Sequence, residues 1–162
     1  MERLWSPWRS RYVTAADEDE SCFLCGGLEG DDETTGILHR AEHTFVIVNA
    51  FPYNSGHLMV APARHVGDPS DLSPEESHEL VDVTFAAISV ARAALSPHGF
   101  NVGMNLGRVA GAGVPGHLHV HVVPRWGGDT NFMPVVAETK VMPELLEETA
   151  AKLRPGFSAL RA

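Results

Sequence analysis

Three histidines alternate with apolar residues in the stretch His117-Leu118-His119-Val120-His121. Side chains on a β-strand point alternately to its two faces, so a strand here would place the three imidazoles in one row and the apolar residues behind them. Imidazole titrates near neutral pH and can act as a nucleophile, a general acid or base, or a metal ligand. The spacing therefore predicts a reactive site or a metal site on this strand.

A glycine-rich segment, residues 107–116, leads into the three histidines and contains four glycines and one proline. Glycines let backbone N–H groups turn inward and approach the oxygens of a phosphate closely. An imidazole beside such a phosphate could attack phosphorus, while a second imidazole protonates the leaving oxygen or stabilises the developing charge. The pattern favours phosphate chemistry, and its main alternative is a single cation held by all three histidines.

Length and composition limit the class of protein. The 162 residues are 44% hydrophobic and 20% charged, which is typical of one soluble globular domain with its own core. A net charge of −9 argues against sequence-independent binding of nucleic acid, which needs a basic surface. The chain shows neither a signal peptide at its start nor an apolar run of membrane length, so we expect a cytoplasmic protein without a membrane partner.

Hydrophobic periodicity predicts four or five short strands and one strong helix. Ser73, Pro74 and Glu76 mark the helix start, as an N-cap serine, a proline at the first helical position and a glutamate three residues after the cap. The helices are predicted at 72–95 and, shorter, at 142–154. The strands are predicted at 37–39, 44–48, 56–62, 100–106 and from 117 onward. This order favours an α+β fold with a mainly antiparallel sheet.

The remaining segments receive simpler interpretations. We treat residues 1–162 as a single domain with an N-terminal arm at 1–20 and a C-terminal extension at 136–162. Residues 22–27 are interpreted as a tight cysteine knuckle and 30–35 as a polar loop. Four other histidines are expected on the surface or in loops: His39, His43, His78 and His98.

The histidine motif resembles the alternating motif of the histidine-triad superfamily of nucleotide hydrolases and transferases. Residues 49–62 resemble the first ligand-binding hairpin of that family, and 124–132 resemble the tail of its bacterial branch that acts on dinucleoside polyphosphates such as diadenosine tetraphosphate. The resemblance covers about residues 20–135, and residues 4–9 are also similar to that branch. It implies a five-stranded antiparallel sheet with one long and one short helix, in a homodimer whose sheets join.

The resemblance also implies roles for single residues. His119 matches the nucleophile that takes up a nucleoside monophosphate covalently, and His121 matches the phosphate ligand beside it. His57 matches a hairpin histidine that supports the site. Asn49 matches a ribose-contacting asparagine, and Asn105 lies where the family places a polar residue near the phosphates.

One position departs from many hydrolase members of the family. They carry a glutamine four residues before the first triad histidine, where this chain has Gly113, next to Val114 in the expected nucleotide-binding loop. In this respect the chain resembles the branch that cleaves diadenosine tetraphosphate, some members of which use phosphate instead of water. Phosphorolysis and hydrolysis both stay open, as do hydrolysis of a nucleoside phosphoramidate and a nucleotide sensor without turnover.

Cys22 and Cys25 are the only cysteines. Such a pair can bind zinc, do redox chemistry or lie buried as apolar groups, and no βαβ pattern favours the redox role. The best candidates for two further zinc ligands are His65 and His117. Related galactose-1-phosphate uridylyltransferases and several bacterial triad proteins use this type of ligand set. The resemblance therefore implies a structural zinc closed to solvent and no organic cofactor; the rival interpretation uses His117 to orient the nucleophile.

Overall fold

A computed structural model of the protein describes residues 22–130, 142 and 144–160. Its strands are β1 Ile37–Arg40, β2 Thr44–Val48, β3 Leu58–Pro62, β4 Gly99–Met104 and β5 Val120–Arg125. They form one antiparallel sheet in the order β1-β2-β3-β5-β4, which confirms the predicted α+β class. The α-helices are α1 Phe23–Glu29, α2 Asp32–Thr35, α3 Pro74–Leu95 and α4 Leu146–Leu160, with short 3-10 turns at Pro69–Asp71 and Arg108–Ala110. The predicted arm at 1–20 and residues 131–141 and 143 lie outside the described residues.

The two faces of the sheet have different partners. Leu118, Val120 and Val122 belong to the main core, which includes buried residues of α3 and α4. The opposite face carries a second apolar cluster, in which Leu24 of α1 joins Phe45 of β2 and other residues. The histidines alternate with the three main-core residues, so the predicted separation of apolar and histidine side chains onto opposite sides is confirmed.

The long helix α3 begins as the sequence predicts. Ser73 Oγ accepts a hydrogen bond from Glu76 N at 3.2 Å, and Glu76 Oε2 accepts one from Ser73 N at 2.8 Å. This reciprocal capping box satisfies two N–H groups that have no partner within the helix. The helix ends where Ser96 adopts a left-handed conformation with φ of 48°.

The ladder of β5 begins later than predicted, at Val120. The backbone N–H of Leu118 donates to the carbonyl of Val66 at 2.6 Å, and that of His117 donates to Val114 at 3.2 Å. Because these bonds go to loops rather than to β3 or β4, residues 117–119 lie outside the sheet, with a bend at His117. The prediction of a strand from residue 117 was therefore wrong by three residues, although the alternation of side chains holds.

Two predicted loops contain short helices. Residues 22–27 do not form a knuckle, because Cys22 is instead the N-cap of α1 and its carbonyl accepts from Gly26 N at 2.9 Å. The predicted loop 30–35 contains α2, whose N-cap Asp31 accepts from the backbone N–H groups of Glu33 and Thr34. The cysteine pair is therefore presented from the start of a helix.

The C-terminal helix α4 differs most from its prediction. It was expected to be short and to span 142–154, but it runs to Leu160 and includes Pro155. The buried side chains of Leu153 and Phe157 hold it on the core, and this packing outweighs the backbone hydrogen bond that proline removes. His39, expected at the surface, is buried and stacks on Phe157 with ring centroids 6.0 Å apart, so that prediction was also wrong. Among the helices within 22–130 and 144–160, none combines the length and hydropathy of a membrane crossing.

Candidate active site and metal site

His119 is held as a neutral imidazole with one known tautomer. Its Nδ1 atom lies 2.8 Å from the backbone carbonyl oxygen of His117. A carbonyl can only accept a hydrogen bond, so the proton resides on Nδ1 and the lone pair on Nε2. Burial lowers the pKa of His119, which keeps the ring uncharged at neutral pH. A buried neutral imidazole with an available lone pair is what nucleophilic attack requires.

His57 is fully buried, and its tautomer is set by the turn that precedes β3. Tyr53 N donates to His57 Nδ1 at 2.9 Å, and the amide nitrogen of Asn49 lies 3.2 Å from the same atom. The orientation of that amide is defined, because Asn49 Oδ1 accepts from Phe51 N at 2.9 Å. Two donors on Nδ1 leave the proton of His57 on Nε2, from which it donates to His121 Nδ1 at 3.0 Å.

His121 therefore presents an N–H group beside the nucleophile. Since its Nδ1 accepts from His57, its own proton lies on Nε2. The rings of His119 and His121 meet edge to face, with centroids 4.8 Å apart. The ring of Tyr53 packs against both His57 and His121, at 4.6 and 5.2 Å between centroids. This arrangement places one lone pair and one N–H donor side by side, as a phosphoryl group would require.

The residues predicted to bind the nucleotide lie in two places. Asn105 is next to His121, with its amide nitrogen 3.4 Å from His121 Nε2. Both of these nitrogens carry protons in the tautomer described above, so only the amide oxygen of Asn105 could accept from the His121 Nε2–H. Gly113 and Val114 are half-buried in the loop that precedes the triad. Asn49 is buried, and its side-chain amide forms hydrogen bonds with His57 and with the backbone N–H of Phe51. The geometry therefore supports a role in holding His57. Its contact with ribose stays a prediction.

The four predicted metal ligands come together in the fold, although 95 residues separate Cys22 from His117. The ligand atoms of Cys22, Cys25, His65 and His117 all lie within 4.8 Å of one another. Three sulfur-to-Nδ1 distances are short: 3.2 Å for Cys22 and His117, 3.3 Å for Cys25 and His65, and 3.5 Å for Cys25 and His117. A tetrahedral zinc site separates sulfur and nitrogen ligands by about 3.5 Å, so the four residues fit zinc.

The ring of His117 is oriented as a metal ligand would be. Its Nε2 lies 2.8 Å from the carbonyl of Pro62, which leaves the Nδ1 lone pair facing the thiols. Burial lowers the pKa of His117, while burial raises the pKa of Cys25 to about 11, so a metal would bind a neutral imidazole and displace a thiol proton. His65 is exposed, so the cluster reaches the surface on that side instead of being fully enclosed as expected.

Sequence reasoning missed a network of polar side chains next to the turn that carries His57. Asp129 accepts hydrogen bonds from Arg125 and Asn54. These three residues line a cavity of about 300 Å³, together with Tyr53 and Asn101. The spacing of four residues between Arg125 and Asp129 was the available signal for an ion pair. Nothing in the sequence joined either residue to Asn54.

Comparison with known proteins decides the family. Residues 32–128 match the HIT domain. The chain belongs to the HIT family. The AP-4-A phosphorylase of Mycobacterium tuberculosis is 43% identical to this HIT protein over an alignment of 157 positions, which covers 92% of this chain and 80% of that protein. The predicted resemblance to the histidine-triad superfamily is thus confirmed.

Solved structures agree with the HIT fold. A hypothetical histidine triad nucleotide-binding protein from Sulfolobus tokodaii superposes with a TM-score of 0.69 at 24% identity, over 86% of this chain and 94% of that one. A Zn-bound histidine triad family protein from Mycobacterium smegmatis gives a TM-score of 0.62 at 24% identity, over 93% and 94%. At these identities the likeness concerns the fold alone.

Proposed function

We propose that this HIT protein is an enzyme that cleaves a dinucleoside polyphosphate, such as diadenosine tetraphosphate, through a covalent nucleotide on His119. The observation that carries the proposal is the pair of defined tautomers, with the His119 Nε2 lone pair beside the Nε2–H of His121. The 43% identity to AP-4-A phosphorylase supports the choice of substrate.

The geometry suggests how each group takes part. His119 Nε2 attacks the α-phosphorus of the substrate, and the bond from that phosphorus to its bridging oxygen breaks. The nucleoside triphosphate leaves, while His121 donates a hydrogen bond from Nε2 to the phosphoryl oxygens on which charge develops. An acceptor oxygen then attacks the same phosphorus and releases His119. With diadenosine tetraphosphate, phosphate as acceptor yields ADP and ATP, whereas water yields AMP and ATP.

We infer that phosphate is the acceptor, which the name of the M. tuberculosis relative supports. The test is incubation with diadenosine tetraphosphate, with and without phosphate, and identification of the products by mass. ADP that forms only with phosphate supports phosphorolysis; AMP formed at the same rate in both conditions supports hydrolysis.

The covalent step has its own test. We expect His119→Ala to abolish turnover while nucleotide binding, measured by calorimetry, changes little. His78→Ala is the matched control, because His78 is an exposed histidine on α3 and its loss should leave the rate unchanged. An unchanged rate in His119→Ala would remove the proposed mechanism.

We propose further that Cys22, Cys25, His65 and His117 hold one structural zinc ion. Four protein ligands complete a tetrahedral site and leave no position for a substrate, so the metal would supply stability and no chemistry to the reaction. Protein purified without added zinc should contain close to one equivalent. A content below about a tenth of an equivalent, unchanged by Cys22→Ala, would refute the site. Thiol ligands persist in a reducing compartment, which is why we also propose a cytoplasmic location.

We propose that the protein forms a homodimer through β4, the strand at one edge of the sheet. Its side chains are exposed from Asn101 onward, and Val102, Met104 and Leu106 each expose about half of their surface. An exposed apolar edge strand is a surface for pairing with a second chain. Sedimentation should show a dimer for the native protein and a monomer for Val102→Glu; a native monomer would contradict the proposal.

A further inference from the structure

The carboxylate of Asp129 is the centre of a dense hydrogen-bond network outside the triad. Its Oδ2 atom accepts from Arg125 Nε at 2.6 Å, from Asn54 Nδ2 at 2.8 Å and from Trp126 N at 3.1 Å. Its Oδ1 atom accepts from Arg125 Nη2 at 3.0 Å. The side chain is only 10% exposed, and Arg125 holds the pKa of the carboxyl at about 2. Asp129 is therefore ionised at neutral pH and accepts four hydrogen bonds.

Asn54 joins this network to the turn that carries His57. Both of its amide protons are used, one on Asp129 Oδ2 and the other on the carbonyl of Pro124 at 3.0 Å. Asn54 is buried, and its backbone carbonyl accepts a hydrogen bond from His57 N at 3.2 Å. Two segments far apart in sequence, 124–129 after the triad and 53–57 before β3, are thus fastened by one side chain.

The fastened turn controls the tautomers of two site histidines. Tyr53, the neighbour of Asn54, donates its backbone N–H to His57 Nδ1 and, together with the amide of Asn49, keeps the His57 proton on Nε2. That proton is donated to His121 Nδ1, which keeps the His121 proton on Nε2, next to the nucleophile. A shift of the turn by a few tenths of an ångström would weaken the bond from Tyr53, because its geometry depends on the backbone of residues 53 and 54.

We infer that Asn54 and Asp129 are positioning residues of the active site, which act through the 53–57 turn and His57 to hold the proton of His121 on Nε2. The inference rests on the proposed function, since it assigns a catalytic purpose to that proton. Neither residue contacts the nucleophile, so both act on the reaction only through the histidines. A purely structural clamp would stabilise the same turn without controlling which nitrogen of His57 is protonated.

The test combines ring NMR with kinetics on two variants. Asn54→Ala removes both amide bonds, and Asp129→Asn removes the charge while keeping the volume of the side chain. Histidine ring ¹⁵N spectra of the free protein report the tautomer of His57 directly, without substrate. Steady-state rates with a dinucleoside polyphosphate then separate kcat from KM. Glu76→Gln is the control, because Glu76 is likewise a buried carboxylate bonded to an arginine, Arg64, but lies in the cap of α3.

We expect His57 to be a single Nε2–H tautomer in the native protein and in Glu76→Gln, and a mixture in Asn54→Ala and Asp129→Asn. The two variants should lose about 10- to 100-fold in kcat, the usual effect of misplacing a catalytic group by part of an ångström. KM should change by less than about threefold, because binding contacts remain. The double variant should be no slower than the slower single variant, since both act through the same turn.

Several outcomes would overturn the inference. They are a folded variant in which His57 stays a single Nε2–H tautomer, a tautomer mixture with kcat unchanged, and additive losses in the double variant. Failure of both single variants to fold would assign the pair to stability alone. Failure of the proposed function would be recognised separately, because the native protein would then show no turnover. The NMR comparison of the His57 tautomer in native protein and variants would still be valid, since it needs no substrate.

Discussion

The backbone carbonyl oxygen of His117 lies 2.8 Å from Nδ1 of His119. The ring of His117 lies 3.2 Å from the thiol sulfur of Cys22, so one residue contacts both the candidate metal cluster and the proposed nucleophile. A shift of the His117 backbone moves both the ring that faces Cys22 and the carbonyl that holds the His119 proton. The metal cluster and the reactive imidazole are therefore coupled through a single residue.

This coupling predicts the effect of metal removal. We expect a zinc chelator to lower Tm by more than about 5 °C and kcat by about tenfold, because His117 loses the ligand that fixes its ring. Thermal unfolding and steady-state rates, measured before and after chelation and again after added zinc, give the answer. Cys22→Ala should respond to neither chelator nor zinc. If the three triad histidines held the metal instead, this variant would still lose its activity on chelation.

The pH dependence of the reaction follows from the burial of His119. Burial disfavours the imidazolium and lowers the pKa below the ordinary value of 6.5, so Nε2 keeps its lone pair in mildly acidic solution. The acid limb of kcat/KM should therefore have its midpoint below pH 6.5, with activity lost as pH falls through the lowered pKa. A pH–rate profile of the native enzyme measures this. A midpoint at or above pH 6.5 would show that the nucleophile is not the desolvated histidine.

The cap of α3 makes a prediction about stability and pH. Hydrogen bonds from Arg64 and Ser73 lower the pKa of Glu76 to about 2. A depressed carboxyl pKa contributes stability that is present above the unfolded value, near 4.5, and is lost as pH falls towards 2. Glu76→Gln should therefore lower Tm by about 2–5 °C at pH 7 and by less with each step below pH 4.5. A difference in Tm that is constant from pH 7 to pH 3 would contradict the role of the charge.

Two adjacent positions of α4 should respond oppositely to alanine. Pro155 is exposed and lacks the N–H that a helix uses, so Pro155→Ala should stabilise the protein by about 1–3 kcal/mol. A Cβ atom at Gly156 would lie 2.6 Å from Val90 Cγ1 on α3, so Gly156→Ala should destabilise it despite the better helix propensity of alanine. Chemical denaturation of both variants tests this, and stabilisation by Gly156→Ala would show that α3 and α4 pack less closely.

Local patterns were sufficient for the strands, for the long helix α3 and for the choice of candidate reactive residues, but not for the short helices α1 and α2. The alternation around His119 assigns each side chain to a face because strand geometry has a period of two, whatever lies beyond it. The capping box of Ser73 and Glu76 involves four consecutive residues, so it could be predicted to the residue. The triad also led to the correct family, and the cysteine pair to a candidate metal set whose atoms the fold brings together. These features depend on residues that are close in sequence.

The tertiary structure alone decided how those residues are protonated and oriented. His117 is set by the carbonyl of Pro62, and His57 by the backbone N–H of Tyr53, partners that belong to backbone and leave no mark in the sequence. The helical position of Pro155 and the burial of His39 depend on packing of α4 against the sheet, which overrides local preference. The bond between Asn54 and Asp129 spans 75 residues. Sequence therefore determined which chemical groups this protein has, and the fold determined which nitrogen of each histidine carries the proton, because hydrogen bonds form between neighbours in space.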